Sequence, residues 1–202
     1  MIPVETIGIF FAASVALAVA PGPDNLFVLT QSALSGRLAG ILVTMGLCTG
    51  IVVHALAVAF GVAAILQTSA VAFNALKVFG AAYLIYLAWR SFRSGTENIS
   101  GGSGDGLPAH KLYARGVVMN IANPKVALFF MAFLPQFADP SRGSVAVQIA
   151  LLGGVFIVAA FLVFGAISWA SGVLGAWLRR SAYAQIIMNR VEGAIFVGLA
   201  AR

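Results

Sequence analysis

Long apolar stretches separated by short polar ones make up nearly the whole chain. The apolar segments fall near residues 5–33, 39–66, 71–90, 113–137, 145–177 and 184–202. A helix needs about 20 apolar residues to cross a hydrocarbon core about 30 Å thick, and each segment is close to that length or longer. The pattern therefore predicts an all-α, polytopic membrane protein with about six transmembrane helices.

Two of these spans, the first and the fourth, are interrupted by proline and polar residues. The first break reads Pro21-Gly22-Pro23-Asp24-Asn25, and the second reads Asn123-Pro124-Lys125. An unsatisfied backbone group is costly in hydrocarbon, so a broken helix survives only where the break is buried in protein or lines a cavity. Broken helices at corresponding places in two halves mark the binding sites of secondary transporters. The breaks therefore predict a solute site.

A single linker divides the chain into two sets of three spans. We predict a first three-helix repeat at 1–93, a flexible cytoplasmic linker at 94–112 that is rich in Gly and Ser, and a second repeat at 113–202. All belong to one membrane domain. A shift of 101 residues superposes Pro23 on Pro124 and Asp24 on Lys125. Because each half has an odd number of spans, the second half enters the membrane from the opposite side. The two repeats should therefore be related by a twofold axis in the membrane plane.

Composition and charge agree with a membrane protein and exclude several other classes. With 61% hydrophobic and 9% charged residues among 202, the chain carries more apolar side chain than a soluble domain can bury. If the linker is cytoplasmic, eight Lys and Arg residues lie on the cytoplasmic side of the membrane and two on the outer side, which agrees with the positive-inside rule. The net charge of +6 is spread singly over helix ends rather than gathered in a patch, so no nucleic-acid partner is expected.

The chain carries no recognisable catalytic or metal-binding set. Its single cysteine, Cys48, can form neither a disulfide framework nor a cysteine-based metal cluster. The motifs G-x-S-x-G and H-E-x-x-H are absent, and we predict no enzyme activity, no metal site and no cofactor. Coupling to a proton or another ion remains open.

Asp24 and Lys125 are the charged residues that the breaks place within the membrane. A charge near the bilayer centre costs at least about 2.5 kcal/mol on insertion scales, so such residues pair, face water or have a function. One explanation is a structural ion pair. The other is that a zwitterionic solute competes with that pair, its carboxylate held by Lys125 and half-helix N–H groups and its ammonium facing Asp24.

Four polar residues are secondary candidates for the same site. Asn25, Asn120 and Asn123 can cap the broken backbone or donate and accept hydrogen bonds with the solute. His54 lies within the second span, where it can form an interhelical hydrogen bond or take part in a proton relay.

The motifs in this order resemble those of the bacterial lysine exporter (LysE/RhtB) family, which includes threonine, homoserine, leucine and arginine exporters. The resemblance covers nearly the whole chain. It is carried by the Pro21–Asn25 break, by Gly36, Gly40, Gly46, Gly50 and His54, by Lys77-Val78-Phe79-Gly80-Ala81-Ala82-Tyr83-Leu84, and by Asn120, Asn123-Pro124-Lys125 and Pro135-Gln136-Phe137. It implies a multi-pass carrier of the bacterial inner membrane that exports amino acids, driven by an ion or proton gradient.

Several alternatives stay open at this point. Arg190 interrupts the sixth span, so five crossings and a re-entrant segment are an alternative to six. The rival functions are an ion or metal cation exporter or channel guided by Asp24, and a membrane scaffold without transport. A neutral substrate is slightly favoured, since Glu192 is the only other acid within a span. Besides lipid and substrate, a second copy is a possible partner, because Gly-rich and Ala-rich faces serve internal packing and self-association alike.

Overall fold

The computed structural model describes residues 2–20, 22–68, 70–93, 107–180 and 182–200, and the regular structure in these ranges is helical. The first half contains α1 (Val4–Val19), α2 (Pro23–Ser35), α3 (Arg37–Thr68) and α4 (Ala70–Arg93). The second half contains α5 (Ala109–Ile121), α6 (Pro124–Ala132), two short 3-10 helices (Leu134–Phe137 and Pro140–Arg142), α7 (Val145–Arg180) and α8 (Ala182–Ala200). The all-α prediction is confirmed.

Both predicted breaks are present, and both have the same form. The axes of α1 and α2 are bent by 61° at the first break, and those of α5 and α6 by 53° at the second. Pro23 and Pro124 are the first residues of α2 and α6. Proline is tolerated there because the N–H that it lacks has no intrahelical partner at that position. Pro21 lies outside the described residues.

The helices match the predicted spans closely. Within the described residues, α3 and α7 are long and apolar enough to cross a membrane singly, and each bent pair is long enough as one span. The third and sixth predicted spans form α4 and α8. α5 begins at Ala109, earlier than residue 113, because Pro108 starts the helix in a polar stretch outside the apolar segment. The total of six spans and its re-entrant alternative stay predictions.

The two halves have the same order of elements, and they pack against each other through their long helices. In each half a bent pair is followed by a long helix and then a shorter one, as a repeat requires. α3 contacts α5 and α7, α7 also contacts α1 and α2, and α4 contacts α6 and α8. An aromatic cluster joins α1, α6, the 3-10 helix that follows α6, and α7, with ring centroids 4.7–6.4 Å apart. Its members are Phe10, Phe129, Phe130, Phe133, Phe137 and Phe156.

Glycine allows α3 and α5 to approach until their backbones touch. A Cβ atom on Gly46 would collide with the carbonyl oxygen of Tyr113, and one on Gly116 would lie 2.5 Å from the carbonyl oxygen of Val43. One turn along α3, a Cβ on Gly50 would lie 2.7 Å from the side chain of Asn120. In a membrane, helices associate largely through such close packing. This contact determines where the end of α5, and with it the second break, lies.

We expect Gly46→Ala to destabilise the protein by about 1 to 3 kcal/mol, the usual cost of overpacking a tight contact. The matched control is Gly154→Ala on α7, where a Cβ would meet nothing within 4 Å. That change should alter stability by no more than about 1 kcal/mol, the propensity difference between glycine and alanine. Denaturant titration of the detergent-solubilised protein measures both, and equal stability of the two variants would contradict the close contact.

Candidate substrate site

A small cavity lies where the two helix breaks meet. Its polar lining comes from residues that the sequence singled out, namely Gly22, Asp24, Asn25, Asn120, Asn123 and Lys125. Its apolar lining is Leu17, Ala18, Ile51, Val126, Phe156 and Phe164. The tertiary structure thus brings together residues that are about 100 positions apart in sequence. The cavity volume is about 30 Å³, which gives room for roughly one or two water molecules.

Asp24 stands in the first turn of α2 and is almost completely buried. A negative charge is favourable at a helix N-terminus because the macrodipole is positive there. The Oδ2 atom of Asp24 accepts a hydrogen bond of 3.0 Å from Nδ2 of Asn120. Its Oδ1 atom is buried and has no hydrogen-bond partner among the described residues. One of the two oxygens of this carboxylate is therefore left without a direct hydrogen bond, although the side chain of Asn123 also interacts with the carboxylate.

Lys125 bridges the two breaks. A lysine in the first turn of α6 is disfavoured by the dipole of its own helix. Its Nζ atom, however, lies 3.4 Å from the carbonyl oxygen of Ala20, the C-terminal capping residue of α1. A helix C-terminus carries the negative end of the dipole, so α1 stabilises the charge that α6 disfavours. Asp24 and Lys125 line one cavity, and a direct ion pair between them stays a prediction.

The three asparagines complete the broken backbone in different ways. Asn25 donates from Nδ2 to the carbonyl oxygens of Ala18 at 2.7 Å and of Val19 at 3.4 Å. Asn123 is the N-cap of α6, and its Oδ1 accepts the backbone N–H of Lys125 at 3.0 Å. Asn25 and Asn123 therefore cap the broken backbone, which is one of the two roles predicted for them. The side chain of Asn120 instead donates a hydrogen bond to Asp24. Direct contact with a solute stays a prediction for all three.

His54 lies behind the cavity rather than in its lining. Its Nε2 atom is 3.1 Å from the backbone carbonyl oxygen of Asn120. A carbonyl oxygen only accepts, so Nε2 carries the proton and donates it. The interhelical hydrogen bond that was one of the two alternatives for His54 is thus present between α3 and α5. A proton-relay role stays a prediction.

Sequence reasoning missed the apolar wall of the cavity. Leu17, Ile51, Phe156 and Phe164 are apolar residues within apolar helices, so no sequence signal separates them from core or lipid-facing positions. The close packing at Gly46 and Gly50 is predictable from the sequence, because these residues have the small-xxx-small spacing typical of close helix pairs. Within the described part of the chain, no three His, Cys, Asp or Glu side chains are grouped as a metal site.

We expect Asn123→Ala to destabilise the protein by about 1 kcal/mol, because the N-terminus of α6 loses its cap. Asn123→Ser keeps a side-chain oxygen at the same position and should retain most of the wild-type stability. Thermal unfolding in detergent compares the two variants. Indistinguishable midpoints for the alanine and serine variants would show that the cap contributes nothing.

Comparison with known proteins gives a consistent result along the whole chain. The sequence model described as LysE type translocator matches residues 15–202. An uncharacterised membrane protein of Pseudomonas aeruginosa is 31% identical, over 88% of this chain and 85% of the relative. A leucine efflux protein of Enterobacter is 29% identical, over 97% of this chain and 91% of the relative. A leucine efflux protein of Salmonella typhimurium is 25% identical, over 96% of this chain and 92% of the relative. No solved structure gives a significant match.

Proposed function

This chain belongs to the LysE type translocator family, and we propose that it exports neutral, apolar amino acids from the cytoplasm by alternating access. The family and the leucine efflux relatives support amino-acid export by a multi-pass protein of the inner membrane. The substrate class and the mechanism are our proposal. Its main support is that Asp24 and Lys125, from two different broken helices, line the same cavity.

The arrangement of charges suits a zwitterion. Lys125 lies at the Ala20 side of the cavity and can hold a carboxylate through a charge-assisted hydrogen bond. Asp24 has an unused oxygen that can accept from an ammonium group. Asp24 is buried and Lys125 is half-buried, so bulk water weakens these interactions less than it would at an exposed site. An amino acid would thus place its two charged groups against opposite charges.

The remaining lining favours an apolar side chain. Leu17, Ile51, Val126, Phe156 and Phe164 form the rest of the wall, and Asp24 is the only acid in the cavity's described lining. A second ammonium or a second carboxylate on the substrate would be desolvated there without a charged partner, which is unfavourable. The names of the leucine efflux relatives support the same choice. This reasoning agrees with the neutral substrate that the sequence slightly favoured.

The size of the cavity supports alternating access. A volume of about 30 Å³ holds water but no amino acid, so a substrate would fit only after the surrounding helices move apart. α6 leads from the break towards the predicted outer side, and its phenylalanines pack against Phe10 and Phe156. Release to the outside would require this aromatic cluster to separate. Movement of one half against the other is the established way in which inverted-repeat carriers do so.

We expect Asp24→Asn and Lys125→Gln each to reduce efflux by at least about 10-fold, because each removes a charged partner worth roughly 1.5 to 3 kcal/mol. The assay loads cells with leucine-containing dipeptides and measures external leucine. Glu5→Gln and Lys111→Gln make the same chemical changes at exposed positions outside the cavity and should leave efflux unchanged. Wild-type efflux by either cavity variant, with normal membrane insertion, would refute the proposed roles.

A panel of substrates tests the proposed class. Cells that express the wild-type protein should export leucine, isoleucine, valine and phenylalanine in preference to lysine, arginine and glutamate, because the cavity wall offers no further charged partner. Export of lysine or arginine alone would overturn the neutral substrate and leave amino-acid export intact. If no amino acid accumulated while a cation current appeared, the alternative of an ion or metal exporter would replace our proposal.

A further inference from the structure

Two buried acceptor atoms in the cavity have no donor. They are Oδ1 of Asp24 and Oδ1 of Asn120, neither of which has a hydrogen-bond partner among the described residues. The exposed fractions are only 4% for Asp24 and 1% for Asn120, so bulk water does not satisfy them. A buried polar atom without a partner is rare and costly in native proteins, and it requires an explanation. Both residues line the same cavity, so a molecule bound there, water or solute, can supply the donors.

We propose that Asp24 and Asn120 together form the subsite for the α-ammonium group of the exported amino acid. This inference rests on the proposed function and adds Oδ1 of Asn120 to Oδ1 of Asp24 as an acceptor for the ammonium group. One N–H of the Asn120 amide donates to Oδ2 of Asp24, and the two buried atoms that lack a partner are both acceptors. A ligand must therefore bring N–H or O–H donors, and a carboxylate is excluded. A primary ammonium offers three donors and the charge that complements Asp24.

Asn120 also acts as a positioning residue for Asp24. By engaging Oδ2, its side chain fixes the plane of the carboxylate and leaves Oδ1 for the substrate. Asn120 is itself held by α3 in two ways. His54 donates to its backbone carbonyl oxygen, and Gly50, one turn before His54, leaves the space that its side chain occupies. A methyl group at residue 50 would lie 2.7 Å from Oδ1 of Asn120.

The helix break creates this arrangement. In a continuous helix the carbonyl oxygen of Asn120 would accept from the N–H of residue 124, but Pro124 has no N–H. His54 supplies a donor in its place, together with the N–H of Asn123 at 3.0 Å. Pro124 therefore does more than bend the span. It makes the position of Asn120, and so the direction of the Asp24 carboxylate, depend on α3.

The first test needs no variant. Protein reconstituted in proteoliposomes takes up labelled leucine by counterflow, and two unlabelled analogues compete with it. The hydroxy analogue, 2-hydroxy-4-methylpentanoate, lacks the positive charge, while N,N-dimethylleucine keeps the charge but has a single N–H. We expect both to compete at least about 10-fold more weakly than leucine, since each loses a charge-assisted hydrogen bond. Equal competition by either analogue would overturn the two-acceptor subsite.

The second test separates recognition from general loosening of the α3 and α5 contact. Asn120→Ala should raise the KM for leucine and reduce the discrimination against the hydroxy analogue by at least about 10-fold. His54→Ala should reduce this discrimination by less. His54→Gln, which keeps an N–H donor, should restore the wild-type discrimination. Tyr113→Phe is the matched control. It removes a hydrogen bond of 2.9 Å between Thr49 and Tyr113 in the same helix pair but outside the cavity.

The outcomes distinguish the two proposals. If wild-type proteoliposomes take up no amino acid, the proposed function fails and the subsite fails with it. If they take up leucine but Asn120→Ala retains the wild-type discrimination, export stands and the amine subsite is wrong. If Tyr113→Phe loses discrimination as fully as Asn120→Ala, the effect comes from helix packing and the positioning role is refuted. Should Asn120→Ala not fold, the analogue series on the wild type still decides the proposal.

Discussion

The structure depends on a single constraint, which is that proline removes a backbone donor in the middle of two membrane spans. Carbonyl oxygens before Pro23 and Pro124 lose their normal helical partners, and hydrocarbon offers no water to replace them. Side chains supply the donors instead. Asn25 does so at the first break, and His54 does so from α3 at the second. The first break is thus satisfied locally, whereas the second depends on the packing of α3, and the resulting arrangement places the polar residues of both breaks in one cavity.

The same arrangement explains how two charged residues are tolerated in the protein interior. Asp24 is at the positive end of the α2 dipole, and the ammonium group of Lys125 is at the negative end of the α1 dipole. Each helix terminus contributes a modest stabilisation, about 0.3 to 1 kcal/mol at exposed sites and more in buried geometries. Both charges remain in contact with the cavity. When a zwitterion binds at such a site, its two charged groups replace the internal partners of Asp24 and Lys125. Neither charge is then left without a partner.

Close packing of small residues determines the precision of the site. α3 carries a face on which Gly46 and Gly50 contact α5 and His54 donates a hydrogen bond to it, so one helix sets both the distance and the register of the second break. Packing of this kind has few intermediate arrangements, because interiors are dense and deform little. Because α3 belongs to the first half and α5 to the second, this contact fixes how the two halves meet at the site.

The sequence by itself determined the membrane class, the helical spans, both breaks and the polar residues of the site, because hydropathy and proline act locally. It also indicated Asp24 and Lys125, since a charge within an apolar span needs a specific reason. Only the tertiary structure decided that Lys125 reaches the end of α1, that Asn120 donates a hydrogen bond to Asp24, and that apolar residues such as Ile51 and Phe164 complete the cavity. These features depend on contacts between segments that are distant in sequence. The local sequence around an apolar residue does not indicate which distant residue its side chain will contact.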